Sequence, residues 1–289
     1  MRSLRIGAAA VAALSLVLAT PANVAQARPT VAAANYLAAG DSITLGLGVP
    51  AASAYPRVID AKTRTITLAG NVAASGATVA TVAAQLAGYA TANPTIASGI
   101  TRITLTVGAN DVGWVEALLG CINLPAGVQC ADLVVPNTGG MTTRQLVEAA
   151  LGKLSTSLPA LLGGVRTLYP NATVYVGGYY ELFGSRKKDC VVAAGYSISY
   201  ANKTWYNAMI HQLNATIRAS VAAAKAGGAK VRFVNVASVF DGHGFCDSAK
   251  RWVIGPQDIP VGWDLSAVGH PNVRGQHAYA IRFFSKGVR

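Results

Sequence analysis

Apolar and polar residues alternate with period two at residues 65–68 and 102–107, and the second of these runs stops at Gly108. Three further short apolar runs, at 36–39 (ending at Gly40), 172–176 and 230–236, read as strands of a covered sheet. Between them the apolar spacing turns helical, at 54–62, 79–90, 142–168 and 200–226, with a last helix from about 274 to 285. The 142–168 helix should break near Pro159, which has no N–H to donate. Strands and helices in alternation predict a mostly parallel five-stranded sheet between two helical layers, a three-layer α/β/α sandwich. No Pro/Ser-rich linker or charge run divides the chain, so residues 28–289 read as one domain. Two irregular stretches, 111–140 and 237–269, are long for a compact domain. Both contain cysteine.

The N-terminus has a different pattern. Arg2 and Arg5 precede an uncharged apolar run at 6–19, Pro21 follows, and Ala25-Gln26-Ala27 offers a small-residue cleavage site. This is the build of a secretory signal peptide over residues 1–27, too short to span a bilayer. A secreted chain meets oxidising conditions, where four cysteines allow three disulfide connectivities. Cys121–Cys130 with Cys190–Cys246 is preferred, because neighbouring loop cysteines close most readily. No C-x-x-C or H-x-x-x-H spacing suggests zinc, and no metal is expected.

Composition narrows the classes further. With 52% hydrophobic and 12% charged residues the chain has ample material for a core, which excludes disorder as its main state. The 24 Lys+Arg against 12 Asp+Glu are spread out, apart from Arg186-Lys187-Lys188. Without interleaved aromatics or a nucleic-acid motif, no nucleic-acid partner is expected. A diffuse positive field favours approach to anionic lipid or cell-wall polymers. Nothing calls for an oligomer, and a monomer is expected. Three N-x-[ST] sites, at Asn171, Asn202 and Asn214, should be bare in a bacterial host.

In parallel sheets, ligands bind beyond the carboxyl ends of the strands. Gly40-Asp41-Ser42 follows the first strand, Asn71 to Gly76 the second and Gly108-Ala109-Asn110-Asp111 the third, while Gly269-His270-Pro271-Asn272 precedes the last helix. Serine, glycine amide, asparagine and histidine on one rim suit acyl transfer, which needs a base to activate the hydroxyl and N–H donors for the oxyanion. The runs GDSITLG, NVAASGAT, GAND and HPNVRGQ resemble, in order, the four blocks of the SGNH (GDSL) hydrolases. The segment at 240–246, with Trp252, is similar to secreted actinobacterial lipases and esterases of that family. The resemblance implies a flavodoxin-like fold and a secreted serine esterase or lipase without a cofactor, acting on small-molecule or lipid esters. Ser42 would be its nucleophile and His270 its base. The backbone N–H groups of Ser42 and Gly76 and the Asn110 amide would form the oxyanion hole.

One position departs from the family pattern. Many members carry Asp three residues before the histidine, where this chain has Ala267. Either Asp264 reaches the imidazole by another path, or a carbonyl of Ala267 or Val268 accepts its Nδ1–H; the carbonyl is preferred. His243 is the rival base, while His211 and His277 read as structural and surface residues. Trp114, Leu118 and Leu119 are candidates to line an acyl pocket. The rival functions are a carbohydrate acetyl-esterase or phospholipase of the same fold, and a non-catalytic secreted binding protein. No G-x-S-x-G or G-x-x-x-x-G-K-[ST] motif points elsewhere.

Overall fold

The structure, a computed structural model, describes residues 35–247, 250–259 and 265–289. The segment read as a signal peptide and Asp264 both lie outside these residues. Five parallel strands form the central sheet: β1 (Tyr36–Gly40), β2 (Leu68–Asn71), β3 (Arg102–Thr106), β4 (Thr173–Gly177) and β7 (Val231–Val234), in the order β2-β1-β3-β4-β7. Strands β1, β3 and β4 are almost wholly buried, because helices cover both faces of a parallel sheet. The helices are α1 (Ser42–Leu45), α2 (Tyr55–Lys62), α3 (Val79–Ala92), α4 (Pro94–Gly99), α5 (Trp114–Leu119), α6 (Thr143–Leu168), α7 (Tyr200–Ala226) and α8 (Val273–Ser285). A two-stranded antiparallel hairpin, β5 (Cys190–Ala193) and β6 (Tyr196–Ile198), lies apart from the main sheet. The expected α/β/α sandwich is the observed fold.

Two expectations are corrected. The alternation at 65–68 does not mark the second strand, which begins only at Leu68. Its partner β1 starts opposite it at Tyr36, and Thr67 instead gives its carbonyl to the Asn35 and Tyr36 N–H groups. Nor does α6 break at Pro159. Leu154, Leu158, Leu162 and Val165 form one buried stripe along it, and this continuous burial outweighs one missing backbone hydrogen bond. Both preferred disulfides are present: Cys121–Cys130 closes the loop after α5, and Cys190–Cys246 ties the hairpin to the loop after β7. Among the described residues no helix is long and apolar enough to cross a membrane.

The sheet order reverses direction between β1 and β3, which both leave the sheet at the same edge. Crevices at such switch points are where open α/β sheets bind ligands. Gly40 permits the close approach there: its φ is +132°, and a Cβ would lie 2.5 Å from the Thr106 carbonyl oxygen.

Candidate active site

The β1–α1 turn sets the first side chain. Asp41 caps α1, its carboxylate accepting from the Ile43 N–H at 3.0 Å. Ser42 is therefore the first helical residue, and its Oγ lies 2.7 Å from His270 Nε2, across 228 residues of sequence. Both residues are buried. His270 arrives on the loop before α8, held by the Gly269 N–H on the Ile254 carbonyl and the Ile254 N–H on the His270 carbonyl, both at 2.8 Å. The Trp114 ring meets the imidazole edge-on at 5.4 Å between centroids. Burial lowers the His270 pKa to about 4, against a weaker upward pull from the carbonyls of Ala267 and Val268. Neither carbonyl meets Nδ1 in hydrogen-bonding geometry, and this buried nitrogen has no partner among the described residues.

The other predicted residues come to the same rim. The Asn110 side chain donates to the Ala77 carbonyl at 2.9 Å, so one of its two amide hydrogens joins it to the loop carrying Gly76. Asp111 adds a second tie by accepting from the Val79 N–H, and the Ala74 N–H donates to the Gly40 carbonyl at 3.0 Å. Gly76 has a φ of +75° and open space where a Cβ would stand, so backbone is exposed on the rim there. His243 is not part of this group. Its Nδ1 donates to the Lys250 carbonyl at 2.7 Å and its ring stacks on Trp252. His211 pairs with Glu181 on the surface.

Two residues that the sequence reading passed over, Tyr179 and Tyr180, come one residue after the end of β4. The Tyr179 hydroxyl donates to Asp41 Oδ2 at 2.5 Å and accepts from the Ala109 N–H at 3.3 Å, linking the turn before Ser42 to the strand end before Asn110. Tyr180 donates to the Gly269 carbonyl at 2.5 Å, next to His270. Asn214 of α7 fixes this segment, accepting from the Tyr179 N–H and donating to its carbonyl. The side-chain amide of a sequon asparagine is thus already engaged. Thr106 donates to Asp41 Oδ1 at 2.6 Å, which leaves Thr44 to donate to Thr106 and Tyr55 to Thr44. Burial pushes the Asp41 pKa up to about 6 despite these donors. Applying the strand-end rule to β4, as to β1 and β3, would have found both tyrosines.

Ser42 and His270 open on a small cavity of about 30 Å³ that Trp114 and Leu182 also line. On its other side Trp114 borders a larger, mainly apolar pocket of about 550 Å³, with Leu118, Leu119, Ile122, Phe183 and Val268 among its walls. Trp114, Leu118 and Leu119 thus line one apolar pocket.

Residues 38–278 match the profile of the GDSL-like Lipase/Acylhydrolase family. The chain is 29% identical to Lipase 2 of Streptomyces coelicolor over 298 residues, covering 95% of this chain and 92% of that protein. Its fold is similar to that of an extracellular lipase from Streptomyces rimosus, with a TM-score of 0.63 and 23% identity over 88% of this chain and 99% of the other. It is similar also to phospholipase A1 from Streptomyces albidoflavus NA297, with a TM-score of 0.63 and 22% identity over 89% and 100%.

Proposed function

This chain belongs to the GDSL-like lipase/acylhydrolase family and is a carboxylic ester hydrolase; on that premise we propose that it is a secreted, monomeric serine lipase or esterase working through an acyl-enzyme. The observation that carries the reading is the 2.7 Å contact between Ser42 Oγ and His270 Nε2, buried at the switch point of the sheet. With its pKa lowered to about 4, the imidazole is neutral at pH 7 and has a lone pair for the serine proton. Ser42 Oγ attacks the ester carbonyl carbon while its proton passes to Nε2. The resulting oxyanion is received by the N–H groups of Ser42 and Gly76 and the Asn110 amide. Collapse breaks the bond to the alkoxy oxygen, which takes the proton from His270 and leaves as alcohol. Water then attacks the acyl-serine as His270 takes its proton, and collapse of that adduct breaks the acyl–Oγ bond, the serine oxygen recovering the proton from His270 as the acid leaves. Side chains and water complete this cycle without metal or organic cofactor.

The apolar pocket beside Trp114 favours acyl groups longer than acetate, and so a lipase over a carbohydrate acetyl-esterase. Two disulfides, and an extracellular protein among those of like fold, support secretion. A fluorophosphonate probe should label the native protein and leave Ser42→Ala unlabelled; a native protein that stays unlabelled is a binding protein. A p-nitrophenyl series from acetate to palmitate then reads the acyl preference. The maximum should lie beyond butyrate, and activity confined to the shortest esters would remove the lipase assignment.

A further inference from the structure

The apolar pocket does not end at a polar rim. Val115, Leu119, Tyr196 and Leu265 line it and are exposed to water, and on β5 the exposed Val191 is the chain neighbour of Val192, which also lines it. Leu119 and Val191 are 69% and 70% accessible, and these five side chains are among thirteen large hydrophobics exposed in the described residues. A cluster of this kind at the mouth of a pocket is a contact surface for an apolar partner.

The rim is rigid. Asn123, at the end of the α5 segment, donates to the Gly195 carbonyl at 2.6 Å and through its N–H to the Ser197 carbonyl at 2.8 Å, and it accepts from the Ser197 N–H. The two disulfides staple the same two elements, Cys121–Cys130 behind α5 and Cys190–Cys246 at the base of the hairpin. These apolar residues are thus held in place before any partner arrives, which lowers the ordering cost of binding.

Charge specifies the partner. Arg186, Lys187 and Lys188, separated from β5 only by Asp189, are all exposed and form no ion pair with another described residue. The Lys203 ammonium anchors their loop by donating to the carbonyls of Gly184 and Arg186 at 2.8 and 2.6 Å. Two acids adjoin this loop, and each already accepts from a backbone N–H: Asp189 from Tyr200, and Asp247, beside Gly184, from Gly244. Apolar side chains flanked by unpaired cations fit the interface of an anionic bilayer, where the former enter the acyl boundary and the latter meet the headgroups.

We propose that the β5–β6 hairpin, the exposed edge of α5 and the basic run at 186–188 form a docking face for anionic lipid bilayers, with the apolar pocket opening from that face toward Ser42. The proposal rests on the ester-hydrolase reading for its purpose, but its test does not depend on turnover. The Ser42→Ala protein in its secreted form, without residues 1–27, should co-sediment with vesicles of phosphatidylcholine and phosphatidylglycerol in about equal parts, and far less with phosphatidylcholine alone. Adding Lys187→Glu with Lys188→Glu, or Val191→Glu alone, should weaken vesicle binding about tenfold or more. The same substitutions in the Ser42 protein should keep soluble p-nitrophenyl butyrate turnover within about twofold of native, and Lys187→Gln with Lys188→Gln provides a gentler pair should the reversals misfold. Failure to bind anionic vesicles, equal binding to neutral ones, or binding that survives both sets of substitutions would overturn the docking face. A native protein without soluble turnover would overturn the hydrolase reading alone.

Discussion

Ser42 and His270 meet within hydrogen-bonding distance, yet the two sides of that contact are supported by opposite means. On the serine side a buried carboxylate, Asp41, gathers a tyrosine, a threonine and a backbone N–H, and hydroxyls extend the network through Thr44 to Tyr55. Gln276 of α8 adds a clamp, donating to the Ile43 carbonyl and accepting from the Tyr55 N–H. On the histidine side the backbone is equally well fixed, but the ring has only Ser42, an aromatic edge and a buried Nδ1 without a described partner. Among the described residues, the buried carboxylate of Asp41 therefore serves the nucleophile turn and not the base. A base built this way is neutral and poised at pH 7, while its imidazolium receives little electrostatic help.

The largest expected effect lies where both sides act on one atom, the oxyanion. Asn110→Ala should lower kcat about 10²–10³-fold with KM nearly unchanged, as expected for a donor that acts in the transition state. A loss expressed only in KM would remove Asn110 from that role.

Stability against pH separates the two sides more directly. The folded Asp41 carboxyl keeps its proton to about pH 6 while the unfolded chain releases it near 3.8, so stability falls as pH rises through that window. The folded His270 ring accepts a proton only near pH 4 while the unfolded chain does so near 6.5, so stability is lost as pH falls from 6.5 toward 4. Each effect amounts to about 3 kcal/mol, and between pH 4 and 6 they oppose each other. Urea midpoints should be nearly level over that range in the native protein, rise with pH in Asp41→Asn and fall with pH in His270→Gln. Parallel profiles in the three proteins would refute the contrast.

Much of this was legible in the sequence. The four segments after strands or before the last helix are brought to one rim, because parallel strands place all their carboxyl ends together. Short-range signals such as GDS and GAND sit at fixed offsets from strand ends and carry their position with them. What sequence did not reveal was long-range. Tyr179 and Tyr180 read as an ordinary aromatic pair until the fold places their hydroxyls on Asp41 and Gly269. The hairpin at 190–198 depends on Asn123 and a disulfide from elsewhere in the chain, so its own short strands gave no usable pattern. The position of β2 was misjudged because pairing with β1, not local alternation, sets where an edge strand begins.

The tyrosine pair sharpens the comparison at a smaller scale. Tyr179→Phe removes a donor from a buried carboxylate and should destabilise the fold by about 2 kcal/mol, while Tyr180→Phe removes one from a carbonyl at about 1 kcal/mol. Denaturant titration reads both. Tyr179→Phe should also lower kcat several-fold, because the Ser42 and Asn110 loops lose their shared tie. Equal losses of stability would mean that the charge on Asp41 does not distinguish the two sides.

The smallest expected effect tests the histidine side by itself. If packing and the fixed backbone orient His270, Asp264→Asn should change kcat by less than about threefold, whereas loss of a true triad carboxylate costs about 10⁴. The pH profile gives an independent reading. A ring without a carboxylate partner keeps the acid limb of kcat/KM near the lowered value of about 4, whereas pairing with Asp264 would hold it near or above 6.5. Since Asp41 also titrates near 6, the profile should be taken in an Asp41→Asn background, where that limb is absent. A limb that remains near 6.5 there and falls on Asp264→Asn would give the base its carboxylate after all, and the two sides of the site would then be supported alike.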